Sequence, residues 1–304
     1  MTIRKKIAPL FLVCFVALMF SNCGKKAADA DSTDDADSSV DVSTSAVTAV
    51  GGAMDEESGG GFSMNSRSKA TSVAEWMQSL LSPVIAWAAD CSGRAKSQSC
   101  TAGVRSVTYS CSIGAASLSG TVALTYSDAG CAMSTNGYNV TRTVDTAITG
   151  RRGGSIKNKS TGVTDFQGNS YGAGVKMTKT AAGLDMDILG VEKILTKDSK
   201  TVFDISKKST STLKITGGLD RASRTIASGT LEIYHNVAKF KATHTFSNVK
   251  WTSAGCCYPT SGSMTIAYSN TSDAGTMTFG PGCGAYSLVV GSAAAKTGTM
   301  TECE

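Results

Sequence analysis

The chain has 304 residues, 41% of them apolar but only 7% aromatic, and a formal net charge of +5. Ser (40) and Thr (36) together make up a quarter of it, and 32 Gly stand beside 4 Pro, a composition that disfavours a helical bundle and suits Thr-rich strands joined by Gly turns. The charge divides into +3 on residues 1–22, −5 on 23–70 and +7 on 71–304, which is too dilute a basic excess for a nucleic-acid-binding stripe.

Met1–Lys6 is a basic n-region, and Ile7–Phe20 is an apolar run of 14 residues. That is the length of a signal-peptide h-region and falls short of the roughly 20 residues of a spanning helix. The run ends at Phe20-Ser21-Asn22-Cys23-Gly24. Over residues 1–24 the chain resembles a bacterial lipoprotein precursor, with Phe20 and Asn22 where that family usually carries Leu and a small residue. The resemblance implies cleavage after residue 22 and lipidation of Cys23, so that the membrane is a partner through a lipid anchor. Gly24 rather than Asp after the Cys points, by the same resemblance, to the outer membrane of a bacterial envelope. Ordinary secretion and a retained anchor are the other readings of this segment.

After Cys23, residues 24–68 consist largely of Asp, Ser, Ala, Gly and Thr. They cannot bury enough apolar surface to fold, and read as a disordered tether. As a random coil it would span roughly 35–40 Å. Within 69–90 the pattern changes. Val73, Trp76, Met77, Leu80, Leu81, Val84 and Ile85 recur at helical spacing behind a Ser72/Glu75 capping box, which predicts a short amphipathic helix, kinked at Pro83. Such a helix would pack on the following domain, or touch a membrane or partner.

Residues 91–304 carry Cys91, Cys100, Cys111, Cys131, Cys256, Cys257, Cys283 and Cys303. An even count in an exported chain argues for disulfides, and the long Cys-free interval argues for pairing within each terminal cluster. Adjacent Cys256 and Cys257 are expected to bond away from each other, toward Cys283 and Cys303. Close C-x-x-C pairs, which thiolate zinc sites need, do not occur. Neither a metal nor another cofactor is expected.

From about residue 103, short period-2 runs alternate with turn residues. Val122, Leu124 and Tyr126 share a face; so do Val140, Val144 and Ile148, Leu184, Met186 and Ile188, Met264, Ile266 and Tyr268, and Tyr286, Leu288 and Val290. One-sided alternation of this kind predicts an all-β fold. We expect an antiparallel meander of about 10–13 strands, as a sandwich or a partly open barrel. Residues 150–173 are the least periodic stretch, and read either as a binding loop or as disorder.

The candidate chemistry is sparse. Gly229–His235 and Phe240–Phe246 read as a hairpin, with Ile233 opposite Ala242, His244 opposite Leu231 and His235 facing Phe240. The two His then lie about 13 Å apart along one face and cannot share a metal. Asp185 and Asp187 would sit about 6–7 Å apart on one strand face, a spacing open to a carboxylate pair or a calcium site but explained equally by an acidic wet face. Ser211-Thr212-Leu213-Lys214 has the Ser-x-x-Lys spacing of some acyl-transfer enzymes, but on a strand its ends point to opposite faces. The Thr-x-Thr pairs beginning at Thr141, Thr178, Thr243, Thr276 and Thr299 follow no fixed period and read as wet strand faces. The expectation is a non-enzymatic envelope binding protein with a possible surface ligand. A lipid or lipoprotein carrier, built as a helix-plugged half barrel, and a hydrolase are the alternatives.

Overall fold

The computed structural model describes residues 94–96, 100–113, 116–150, 154–217, 221–252, 256, 258–270, 272 and 274–300. The signal segment, Cys23, the tether, the amphipathic segment 69–90, Cys91, Cys257 and Cys303 lie outside the described residues.

The described residues are all-β, as the alternation predicts. The strands are β1 (Arg94–Lys96), β2 (Val104–Ile113), β3 (Ala116–Tyr126), β4 (Asn139–Thr149), β5 (Ser155–Lys159), β6 (Gly174–Lys179) and β7 (Gly183–Lys197). They continue as β8 (Lys200–Thr216), β9 (Thr225–His235), β10 (Phe240–Lys250), β11 (Ser261–Tyr268), β12 (Ala274–Phe279), β13 (Ala285–Val290) and β14 (Lys296–Thr299). One 3-10 turn, Arg221–Ser223, precedes β9. All pairings are antiparallel, and neighbours in sequence are neighbours in the sheet, with one exception. Both β5 and β6 pair with β4 on one side and β7 on the other. They lie end to end in a single strand position, so the 14 strands fill 13 places across the sheet.

Each apolar set read from the sequence faces the same way. Leu118, Val122, Leu124, Val140, Met177, Met186, Leu213, Leu231, Phe246, Met264, Met277 and Leu288 belong to one buried cluster that reaches from Val107 on β2 to Met300 beyond β14. The described strands form one continuous antiparallel sheet with a shared buried apolar face, rather than two separate sheets. Gly120 (φ +117°) and Gly229 (φ +142°) help it bend. A Cβ on Gly120 would overlap the Asp145 carbonyl, and one on Gly229 would lie 2.7 Å from the Leu213 Cα. Only glycine tolerates such φ values and such close strand approach.

The chain starts of β2, β4, β9, β11 and β13 and the chain ends of β3, β6, β8, β10 and β12 meet at one end of the layer. Both disulfides among the described residues lie there. Cys100–Cys131 spans 31 residues and Cys256–Cys283 spans 27. Each pairs within its own cluster, and Cys256 bonds away from its neighbour, as expected. Cys111 is also disulfide-bonded. Met133, Trp251 and Met300 from the loops at this end pack into the core cluster.

Candidate functional site

Where β5 ends and β6 begins, the chain leaves the sheet for residues 160–173. This is most of the stretch that the sequence left open between binding loop and disorder, and it is an ordered loop. Ser160 bridges the gap in the ladder: its Oγ donates to the Val144 carbonyl (2.9 Å) and accepts from the Val144 N–H (2.5 Å). Asp145 holds the exit, accepting from Thr161 Oγ1 at 2.8 Å.

The loop then lies against the outer face of β8 and β9. Ile205, Leu231 and Ile233 belong to the core cluster, so the alternate residues Ser206, Glu232 and Tyr234 project the other way. All three are nonetheless buried, because the loop covers them. Ser206 Oγ donates to the Thr164 carbonyl (2.7 Å), and Asn236 Nδ2 donates to Ser206 Oγ (2.7 Å) and Asp204 Oδ1 (2.8 Å). Val163 is fully buried as the loop's apolar foot. The Tyr234 ring packs against Phe166 (centroids 6.2 Å apart) and Tyr171 (5.6 Å).

Two carboxylates organise the patch. Asp165 sits in the turn Asp165-Phe166-Gln167-Gly168, closed by the Gly168 N–H on the Asp165 carbonyl (3.0 Å). Its side chain accepts from Gln167 N (2.8 Å), Asn169 N (3.0 Å), Asn169 Nδ2 (2.9 Å) and the Tyr171 hydroxyl. Burial pushes the Asp165 carboxyl up, but these hydrogen bonds outweigh it and hold it below the usual range. Glu232 accepts from the Tyr234 hydroxyl (2.6 Å) and from Lys241 Nζ (2.6 Å), with Lys208 Nζ at 3.5 Å. Burial raises this carboxyl as well, and the bonds from Lys241 and Tyr234 and the two Lys charges bring it below the usual range. Both phenols move the opposite way. Burial and the Asp165 hydrogen bond push Tyr171 well up, and burial and the Glu232 bond raise Tyr234 to about 12.

Cations cap the rings: Lys208 Nζ lies 4.7 Å from the Tyr171 centroid, and Lys239 Nζ lies 5.9 Å from that of Phe166. This last contact joins the loop to the β9–β10 turn. Together Gln167, Gly168, Asn169 and Ser170 from the loop, with Val237 (46% exposed) and Lys239 from the turn, form a continuous exposed rim. The rim offers amide, hydroxyl and ammonium groups for recognition. Nothing in it is poised as a nucleophile with a base.

The other residues singled out from the sequence are dispersed. The hairpin register is as expected, with Ala242 opposite Ile233, His244 opposite Leu231 and Phe240 opposite His235. His235 stacks on Phe240 (5.3 Å) beside Phe203 (6.0 Å), and its Nδ1 accepts from the Ala238 N–H (3.0 Å). His244 is sealed in the core. Burial holds its pKa down to about 3, against a small opposing pull from the Ala242 and Leu231 backbone. Neither imidazole is set beside a nucleophile and a carboxylate. Asp185 pairs with Lys214 (2.6 Å), and Asp187 accepts from Thr212 Oγ1 (2.7 Å). Among the described residues no three His, Cys, Asp or Glu side chains cluster for a metal.

The sequence reading missed Asp165, Tyr171, Lys208, Glu232, Tyr234 and Lys241. One signal for them was available: Leu231-Glu232-Ile233-Tyr234 breaks the one-sided alternation, and all four residues are buried. A strand covered on both faces requires a second layer. Comparison with protein-family models, curated proteins and solved structures returned no match.

Proposed function

We propose that this chain is an envelope lipoprotein, anchored through Cys23 at the outer membrane, and that it acts by binding an envelope or surface ligand rather than by catalysis. The contact surface is the rim formed by Gln167–Ser170 and the Val237–Lys239 turn. One observation carries this reading: loop 160–173 is clamped to a rigid sheet by the hydrogen bonds to Asp165, Ser206 and Asn236, while its tip stays exposed. A pre-shaped polar tip on a rigid scaffold loses little entropy on binding, which is the economy of a recognition loop. The amino-terminal lipobox-like segment supports the address.

The test has two arms. Mass spectrometry of the full chain from a membrane fraction should find diacylglycerol on Cys23. The lipid-free protein should co-sediment with purified outer-membrane vesicles or cell-wall sacculi, and a Gln167→Ala/Lys239→Ala variant of unchanged melting temperature should bind about tenfold more weakly. Equal retention of wild type and variant would remove the rim from the proposal. An unmodified Cys23 would remove the anchor.

A further inference from the structure

Beside the anchors of loop 160–173 two carboxyl groups lie together. The register sets Lys159 of β5 opposite Glu192 of β7, Glu192 opposite Ser206 of β8, and Asp204 of β8 opposite Ile194 of β7. Paired residues share a face, and so do alternate residues of one strand. Glu192 and Asp204 therefore stand with Ser206 on the side that the loop covers. Glu192 is only 6% exposed, and its carboxyl lies within hydrogen-bond reach of that of Asp204. Two carboxylates this close repel, and one proton between them turns the repulsion into a hydrogen bond.

Each member of the pair is joined to one anchor of the loop. Lys159 Nζ lies 2.8 Å from Glu192 Oε2 and donates to the Gly162 carbonyl (3.1 Å). On the other side, Asn236 Nδ2 donates to Asp204 Oδ1 (2.8 Å), Ser206 Oγ (2.7 Å) and the Thr164 carbonyl (3.4 Å). The Asn236 N–H also donates to the Asp204 carbonyl (2.8 Å). Asn236 Oδ1 is buried without a hydrogen bond, so the Nδ2 contacts alone orient the amide. Asp204 cannot move away from Glu192 without carrying Asn236, and with it part of the hold on Thr164.

Most neighbouring charges are engaged elsewhere. From β5 come Lys159 and, one place along the same face, Lys157; from β4 comes Asp145, which accepts from Thr161 Oγ1. Lys208 of β8 lies by Glu232 and the Tyr171 ring, and Asp165 and Tyr171 of the loop bond each other. From β9 come Glu232 and Tyr234, bonded to each other, and His235, close enough to feel the Asp204 charge. Burial pushes the Glu192 carboxyl above its usual range; Lys159 opposes, and the Asp204 charge adds to the rise. The protonated pair thus contributes stability that is complete below the ordinary value of 4.5 and is lost as pH rises through the higher folded one. Asp165 and Glu232, held low, act in the opposite sense.

We propose that Glu192 and Asp204 form a one-proton latch for loop 160–173. While they share the proton, the loop is held at Gly162 and Thr164. When the proton passes to solvent, the two carboxylates separate and the hold on Thr164 is released. Regulation of the rim by this latch rests on the rim being a contact surface; the opening of the loop does not.

The experiment reads the loop with no ligand present. The full chain is labelled with carbon-13 at the valine methyls, and Val163, the loop's buried foot, is assigned with Val163→Ile. Its signal is followed by NMR from about pH 5 to 9. In the wild type it should move in one step toward the position of a solvent-exposed valine as pH rises, while core Val122 stays in place. Glu192→Gln keeps a neutral group that donates to Asp204, and should remove the step and hold the closed position throughout. Asp204→Asn, which leaves a single carboxylate, should remove the step as well. A Val163 signal constant across the range in the wild type, a step that persists in either variant, or a step shared by Val122 overturns the proposal.

Discussion

The chain buries polar groups in two places and satisfies them in opposite ways. On the outer face under loop 160–173, carboxylates, phenols, amides and ammonium groups are interleaved, and Asp165 alone accepts four hydrogen bonds. On the inner face the bulk is aliphatic, and the Arg105 Nε, the Tyr126 hydroxyl and both His244 ring nitrogens are buried without a hydrogen bond. A polar layer can be buried at low cost when each donor meets an acceptor, whereas an isolated polar group in an apolar core must stay neutral or find a partner. The outer patch therefore holds its shape through pairing, and the inner face through packing.

The largest expected effect separates these two regimes by pH. His244 titrates near 3 in the fold and near 6.5 unfolded. As pH falls the unfolded state takes up that proton first. The neutral-His contribution is complete above about pH 6.5 and drains away toward pH 3, by up to about 4 kcal/mol. Denaturant melts from pH 7 to 4 should show this slope, and His244→Leu should flatten it. An unchanged slope in the variant would mean that other groups set the acid limit. Asp165 and Glu232, held low, contribute stability above the unfolded carboxyl range near pH 4 and lose it as pH falls through their lower folded values. Their loss should register in the loop alone.

Next in size is Leu213→Ala on the inner face, expected to cost about 3 kcal/mol of global stability by leaving a cavity. Asp165→Ala on the outer face strands the donors it collects and should cost about 2 kcal/mol. Hydrogen exchange should place that cost in residues 163–171, with core strands still protected. Exchange rising equally in β8 and β9 would show the two layers to be one cooperative unit. The smallest effect is expected from Lys208→Met. This removes a partly exposed ion pair at 3.5 Å and the cation over Tyr171, and should change stability by under about 1 kcal/mol, the change shrinking further in high salt.

Much of the inner face was legible because a strand repeats every two residues. Ile233 opposite Ala242 and His244 opposite Leu231 follow from phase and a four-residue turn. Arg105 keeps the phase of Val107 and Arg142 that of Val140, so two charged residues share the apolar face. The outer patch was harder to read. Ser155–Lys159 contains a single large apolar residue, Ile156, so β5 gave almost no periodic signal. Glu192 has the two-residue phase of Met186 and Ile188 but pairs with Lys159 (2.8 Å), because β7 shifts register between Met186 and Val191, and a bulge that reverses a face leaves no mark on composition. The patch also joins Asp165, Lys208, Glu232 and Lys241, which only the folded sheet brings together.

The shared place of β5 and β6 has a consequence for how such a chain can vary. The 14 residues between Lys159 and Gly174 interrupt a strand position whose flanking ladders, to β4 and to β7, continue on both sides of the gap. Decoration and scaffold are thus spliced at a point where neither dictates the other's core. A loop of different length or chemistry could be exchanged at that splice without disturbing the inner aliphatic wall. The molecule is in that sense a scaffold with a replaceable tip, the loop free to vary while the sheet stays fixed.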